Sequence, residues 1–412
     1  MRPVVITGVG VVSPIGTGLE NFWDSLLSGR SGIGRISRFD PTSYACQIGA
    51  EVRDRGYEEW LNPRSLRTTT HATQLALGAA HLACVDARLP RGAYAPAATS
   101  VTVGTALGGW REGEQQYGIL LERGARRVNP FIANGAPNHN PGVEVASAIG
   151  AQGPHVTFSN GCSSSLQAIG YGALLVSNGE ADLCVAGGVE SPLTPVVVAS
   201  MARTQELSTR NDEPGGASRP FDREHSGIVL GEGSCFVLIE SAQRAAERGA
   251  TRYAEVLGFA SSCDAQGVYN FDPSGEPAAR AIHRLLTTNG LDPTDIDYVC
   301  AHANSSPKFD RKEAIVLRKA FGECAARLPV SSIKGVLGHP LGASGAFQVA
   351  ASCQTLRHQL IVPTHNLITP DPECDLHFVA EQPRAARVRR ILVTSYGYGG
   401  VNGCLLLAAP GA

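Results

Sequence analysis

Apolar residues fall along the chain in short dense runs separated by longer stretches of helical spacing. The runs at 4–12, 100–104, 156–159, 183–186, 235–239, 298–303, 328–333 and 391–394 read as strands. Between them, 69–84, 163–177, 278–289 and 343–357 carry helix patterns, and 241–248 reads as a short charged helix. Strands alternating with helices predict an α/β architecture. The best internal boundary falls at 249–252, just after that charged helix, and no low-complexity linker divides the chain.

The two sides of that boundary share a plan. In the first, a strand at 156–159 runs through Asn160-Gly161-Cys162 into the helix 163–177. In the second, the strand 328–333 runs through a glycine loop into the helix 343–357. Both helices are rich in Ala, Gly and Ser and apolar nearly all round, as buried helices are. Their matched positions predict a duplicated unit whose central helices pack together.

Composition narrows the function classes. The 412 residues are 43% hydrophobic with a formal net charge of -2, the opposite of a disordered chain. Only 17% are charged, which implies a large dry interior, a large subunit interface, or both. No Lys/Arg-rich stretch offers a phosphate footprint, so no nucleic-acid partner is expected. No apolar stretch reaches the ~18 residues of a membrane span, and the apolar start reads as a buried strand with no cleavage site after it. The eleven cysteines are scattered without a C-x-x-C pair, which argues against a zinc site and a disulfide framework. Most should be buried thiols in a reducing compartment, so the expected location is cytoplasmic. Lysine occurs only at 308, 312, 319 and 334 against 31 arginines, a bias expected of a GC-rich bacterial genome.

Few residues stand where chemistry is easily done. Cys162 lies between a predicted strand and a helix N-terminus, where the helix dipole favours a thiolate. His302 and His339 fall at strand ends and adjoining loops, where open α/β sheets place their sites. Taken singly, each histidine reads more readily as a satisfied structural residue. Lys334 ends an apolar strand in a chain almost without lysine. Glu313 is either a helix-surface residue or a partner for it. The stretch 395–403 is a Gly-rich loop between two strands whose backbone N–H groups could approach a ligand, as an oxyanion hole requires.

Together these pieces resemble the elongating β-ketoacyl-acyl-carrier-protein synthases of the thiolase superfamily. The likeness runs from Val-Val-Ile-Thr-Gly-Val-Gly-Val-Val-Ser-Pro at the start to Gly-Tyr-Gly-Gly-Val-Asn-Gly at the end. Between them stand Asn-Gly-Cys162-Ser-Ser-Ser, Ser-Arg-Pro-Phe-Asp, Gly-Ile-Val-Leu-Gly-Glu-Gly and Ser-Ser-Ile-Lys334-Gly-Val-Leu-Gly-His339. The resemblance implies a five-layered α-β-α-β-α fold built from two thiolase-like halves. Residues 1–250 would carry the nucleophile and cap insertions, and 251–412 the two histidines. It implies that Cys162 takes an acyl chain from an acyl carrier protein. His302 and His339 would then hold the oxygen of a malonyl thioester during decarboxylative Claisen condensation. Lys334 and Glu313 would be a charged pair ordering them, and the backbone N–H groups of Cys162 and Tyr398 an oxyanion hole. Tyr396 and Tyr398 match the gate, Leu107 the acyl pocket, and Asn304 and Ser306 the contacts to the phosphopantetheine arm. Arg64, Arg67, Arg126 and Arg127 match a rim for the acidic carrier. No bound cofactor or metal is implied. The expected assembly is a homodimer, or a heterodimer with a ketosynthase-like chain-length factor.

The sequence departs from the family pattern at His302-Ala-Asn-Ser-Ser, at Asn160, and in having tyrosines at the gate. Each change makes the pocket more polar, which favours a type II polyketide pathway over housekeeping fatty-acid synthesis. Two other readings remain in view. A thiolase would carry a second catalytic cysteine in the C-terminal glycine loop, whereas Cys404 lies beyond that loop. A chain-length-determining subunit would lack the nucleophile.

Overall fold

The computed structural model describes residues 2–89 and 92–411. Ten strands carry its architecture. They are β1 (Val4–Ser13), β2 (Thr99–Gly104), β3 (His155–Phe158), β4 (Leu183–Glu190), β5 (Gly233–Ser241), β6 (Ala254–Cys263), β7 (Tyr298–Cys300), β8 (Pro329–Ser331), β9 (Arg390–Gly397) and β10 (Val401–Ala408). The first five lie in the spatial order β3-β2-β4-β5-β1, and the second five in the order β8-β7-β9-β10-β6. Both sets therefore run third, second, fourth, fifth, first. The sense of pairing repeats as well: third, second and fourth strands are parallel, and the fourth, fifth and first antiparallel. The sets meet where Val5 faces Glu255 and Ile6 faces Ala254, so hydrogen bonding runs through one twelve-stranded sheet.

Five longer helices, α1 (His71–Asp86), α2 (Ser164–Asn178), α3 (Glu276–Thr288), α4 (Pro307–Phe321) and α5 (Ser344–His358), complete the stack. Helix α1 covers β1 and β5 on one outer face, α3 covers β6 and β10 on the other, and α4 packs beside α3. Between the two strand sets, α2 and α5 pack on each other and on strands of both. The layers are thus α-β-α-β-α, with the largest apolar cluster in the middle one.

Composition explains the central layer. Most of α5 and of α2 is buried, so neither has a polar face to spare. The helices cross where a Cβ on Gly345 would lie 2.6 Å from Leu166 Cβ, so only glycine permits the approach. Helix α2 ends at Gly179 in the left-handed conformation, the usual helix stop.

Several predicted boundaries shift. The strand expected over 298–303 stops at Cys300, and that expected over 328–333 is only Pro329–Ser331. Past Cys300 the N–H groups of His302 and Ala303 go to the Glu313 carboxylate, and past Ser331 that of Ser332 goes to Thr364 Oγ1, where the chain leaves the sheet. Lys334 therefore opens a short helix, Lys334–Leu337, and does not end a strand. Strand β6 has no counterpart among the predicted runs, because Gly258, Ser261 and Ser262 interrupt its apolar pattern. All eleven cysteines are free, eight of them buried. No helix among the described residues is long and apolar enough to cross a membrane.

Candidate active site

The chain leaves β3 and reaches α2 through one 3-10 turn, Gly161–Ser163, with Gly161 at φ 59. That left-handed residue turns Cys162 into the protein, where it is 2% exposed. The hydroxyl of Ser395 donates to the Cys162 carbonyl at 3.1 Å, and the backbone N–H groups of Tyr398 and of Cys162 itself face the sulfur. Burial pushes the thiol up to about 12, against the opposing pull of Lys334. Loss of hydration thus opposes the thiolate that the helix start was expected to favour.

His339 supplies a proton acceptor next to it. Its Nε2 lies 3.2 Å from Cys162 Sγ and its Nδ1 3.0 Å from Ser344 Oγ. The His339 backbone is held on both sides, its N–H donating to Val229 O at 2.8 Å and its carbonyl accepting from Gly231 N–H at 3.0 Å. His302 stands perpendicular to His339, with ring centroids 5.3 Å apart at 87°. Both rings are buried, and desolvation followed by Lys334 drives both well below the usual histidine range. They are neutral imidazoles at physiological pH.

Lys334 and Glu313 do not pair directly; no ion pair joins them among the described residues, which corrects the reading of them as partners. Instead they grip opposite sides of one backbone segment. Lys334 Nζ donates to the His302 carbonyl. Glu313 accepts from the N–H groups of His302 at 2.9 Å and Ala303 at 2.7 Å, and from Thr394 Oγ1 at 2.5 Å. Burial raises Glu313 to about 7 and lowers Lys334 to about 8. Gln348 of α5 adds its side-chain NH2, whose two hydrogens are shared among the carbonyls of Cys300, Ala301 and Thr394.

The remaining candidates divide. Tyr398 and Leu107 pack in one apolar cluster with Cys162, Leu193, Val198 and Met201. Tyr396 is buried edge-on against His302 at 5.7 Å. Asn304 and Ser306 are buried, and both ends of the Asn304 amide are engaged within the protein. Arg64, Arg67, Arg126 and Arg127 are all exposed, and none enters an ion pair among the described residues. Cys404 is buried in β10 with its thiol on Ala260 O, committed to the sheet.

Sequence reasoning missed Glu190. This buried residue ends β4 and accepts from the N–H groups of Ala106 at 2.8 Å, Leu107 at 3.0 Å and Gly342 at 2.9 Å. It ties the loop at Ala106 and Leu107 to the turn that leads into α5, and burial raises it to about 7. The available signal was a carboxylate closing the otherwise apolar run Leu183–Glu190. Among the described residues, no group of His, Cys, Asp and Glu is arranged to hold a metal ion.

A thiolase-type stack in which a buried thiol meets two buried imidazoles defines a condensing acyltransferase. Family models for the β-ketoacyl synthase N-terminal domain, over residues 1–245, and C-terminal domain, over 253–368, both match. The chain belongs to the β-ketoacyl synthase family. It is 39% identical over 407 residues to 3-oxoacyl-[acyl-carrier-protein] synthase 2 of Coxiella burnetii, covering 99% of this chain and 98% of that one. It is likewise 39% identical over 415 residues to a putative polyketide beta-ketoacyl synthase 1 of Streptomyces halstedii, with 99% and 98% covered. Among solved structures it resembles a ketosynthase bound to the hexaketide in complex with a type II polyketide synthase acyl-carrier protein. That match has a TM-score of 0.90 at 28% identity, with 99% of each chain covered.

Proposed function

We propose that the protein is the condensing ketosynthase of a bacterial type II polyketide pathway, acting in the cytoplasm on substrates carried by the phosphopantetheine of an acyl carrier protein. The single observation that carries the reading is His339 Nε2 at 3.2 Å from the Cys162 sulfur, with the His302 ring beside it.

The chemistry follows from the protonation states. Cys162 is a thiol, so attack on the carrier thioester needs a base, and His339 Nε2 is in reach. The sulfur bonds to the acyl carbon as the carrier thiolate leaves, and the proton held by His339 passes to that thiolate. The Cys162 and Tyr398 N–H groups stabilise the oxyanion formed on the acyl carbonyl. In the second half-reaction malonyl-carrier protein loses carbon dioxide, and the carbanion displaces the Cys162 sulfur. Charge builds on the malonyl thioester oxygen, and neutral N–H donors hold it. Ser344 can donate to or accept from His339 Nδ1, so His339 can present a lone pair in the first step and an N–H in the second.

The polyketide assignment rests on the tyrosines. The hydroxyls of Tyr396 and Tyr398 are buried without a well-formed hydrogen bond, with Thr394 beside the first and the Glu206 carboxylate beside the second. A keto-bearing chain satisfies such groups and a saturated chain does not. Arg64, Arg67, Arg126 and Arg127 steer the acidic carrier. A second ketosynthase-like chain, identical or a chain-length factor, covers the outer edge of β3, the last strand of the sheet on that side.

The test is intact-mass analysis of products made with carrier proteins of defined acyl length, with and without a candidate partner chain. Elongation of keto-bearing chains that disappears in Cys162→Ala supports the reading. Elongation of saturated chains alone moves the protein to fatty-acid synthesis, and elongation retained in Cys162→Ala overturns the assignment.

A further inference from the structure

Of the four lysines only Lys312 and Lys334 are buried. Lys334 holds the His302 carbonyl, whereas Lys312, beside Glu313 on α4, has no part in the chemistry described so far. Its Nζ lies 2.6 Å from Asp264 Oδ2 and 2.9 Å from Asn402 Oδ1. The same ammonium lies over the Phe271 ring at 4.8 Å and the Tyr396 ring at 5.2 Å. Burial lowers it below the usual lysine range, and Asp264 opposes that fall. Burying such a pair is a poor route to stability, because apolar side chains of the same size do as well.

Tyr396 and Asn402 face each other across β9 and β10, one step before the hairpin closes. Lys312 therefore holds both members of one cross-strand pair, the first by its ring and the second by its amide oxygen. Beyond them the tip is Tyr398-Gly399-Gly400, with the glycines in the left-handed region at φ 83 and 70. Two adjacent glycines leave the tip little stiffness of its own. Its outer anchors run to the segment that Lys312 grips. The Asp264 N–H donates to Gly400 O at 2.9 Å, and the Gly399 N–H to Val268 O at 2.8 Å. Asn402 Nδ2 donates to Asp264 Oδ1 at 2.6 Å. A Cβ on Gly400 would lie 2.6 Å from Asp264 Cβ, so the tip rests directly on that residue. On its other side the hairpin meets the nucleophile: the Tyr398 N–H faces the Cys162 sulfur, and a Cβ on Gly397 would lie 3.1 Å from Cys162 N.

We infer that Lys312 is a positioning residue of acyl transfer: by clamping the Tyr396–Asn402 pair and Asp264 it holds the hairpin tip where the Tyr398 N–H meets the oxyanion formed on the acyl carbonyl. This rests on the ketosynthase reading given above. Lys312 exchanges no proton, and the bond changes are those of the acylation step already described. His302 meets the clamp through the Tyr396 ring edge at 5.7 Å, while Glu313 and Lys334 hold its backbone. The malonyl half-reaction should therefore depend on Lys312 less.

Two variants and two readouts test the inference. Lys312→Met keeps an unbranched side chain and removes the ammonium. Asn402→Ala removes the amide through which Lys312 reaches β10 and leaves the Lys312–Asp264 pair whole, so it decides the matter if an unpaired Asp264 keeps Lys312→Met from folding. The first readout is single-turnover acylation of Cys162. A displacement near 1 Å lowers a positioned reaction by about 100-fold, so the maximal rate should fall by about tenfold or more in each variant. The carrier-protein concentration at half that rate should stay within about threefold, as should carbon dioxide release from malonyl-carrier protein. The double variant should lie within about threefold of the poorer single one, because the clamp is lost once. Acylation within about threefold of wild type in Asn402→Ala overturns the inference, as do equal loss of both half-reactions and full additivity in the double variant.

The second readout is hydrogen exchange over residues 396–403 without substrate. It should quicken by about tenfold or more in Asn402→Ala while β1 is unchanged, and exchange equal to wild type overturns the inference. A wild-type protein that takes no acyl group from the carrier counts against the ketosynthase reading itself and leaves the exchange result to decide whether the clamp exists.

Discussion

Glu313→Gln isolates the grip on His302. Glu313 faces three donors, the N–H groups of His302 and Ala303 and the hydroxyl of Thr394, and offers only acceptors. A glutamine can keep its oxygen on His302 and Thr394, but its NH2 then meets the Ala303 N–H. That leaves donors unsatisfied in the interior, at about 1–3 kcal/mol for each. Lys334 also loses the carboxylate that most favours its charged form, and neutralising it near pH 7 costs roughly 1.4 kcal/mol for each unit its pKa lies above that pH. The expected loss is about 3–5 kcal/mol of stability, read from urea denaturation at pH 7. The His302 backbone would shift with it. A displacement near 1 Å lowers a positioned reaction by about 100-fold, so decarboxylation of malonyl-carrier protein should fall by at least about tenfold. Acylation of Cys162, served by His339 and a different set of backbone donors, should stay within about threefold of wild type. An unchanged denaturation midpoint, or equal decline of both half-reactions, would refute this account of Glu313.

The other predictions test different parts of the molecule. Cys162→Ala should abolish acyl transfer and condensation while leaving the thermal transition in place, checked by mass spectrometry and calorimetry. His339→Ala removes the base beside the thiol as well as a donor, so it should slow acylation more than His302→Ala does, as single-turnover acylation rates will show. Glu190 is raised from 4.5 to about 7, so the folded protein favours its neutral form. That stabilisation is complete below pH 4.5 and lost as pH rises through 7. Relative to wild type, Glu190→Gln should therefore gain stability between pH 5 and pH 8, by up to about 3 kcal/mol, and a shift the other way in urea titrations would count against it. Gly345→Ala places a Cβ 2.6 Å from Leu166 Cβ, which should destabilise by about 1–3 kcal/mol and lower the melting temperature.

The sequence pattern exposed what is local. An apolar strand running through a glycine into an Ala/Gly-rich helix located Cys162, and strand-end position located His302 and His339. The repeated plan on either side of 249–252 reappears in the strand order of the two sets. What the pattern hid depends on long-range burial. The burial that opposes a Cys162 thiolate comes from residues far apart in the chain. The separation of Lys334 from Glu313 follows from a peptide lodged between them. The direction of the Asn304 amide is decided by one backbone N–H two residues on. Strand β6 escaped because its glycine and serines break the apolar rhythm, while its place is set by pairing with β1 and β10.

The repeated strand order has a consequence for how such a molecule arises and changes. Cys162 and Gly342 hold the same place in the two sets, each the middle residue of the single 3-10 turn before a central helix. One copy kept a reactive atom there; the other kept none, and Glu190 from the first copy accepts the Gly342 N–H. The molecule is in effect a dimer written in a single chain, with its chemistry on the seam. Division of labour was open to it from the moment the copies were joined, because each could drift without duplicating the other's change. The thiol comes from one copy and both imidazoles from the other, so the site needs the two together.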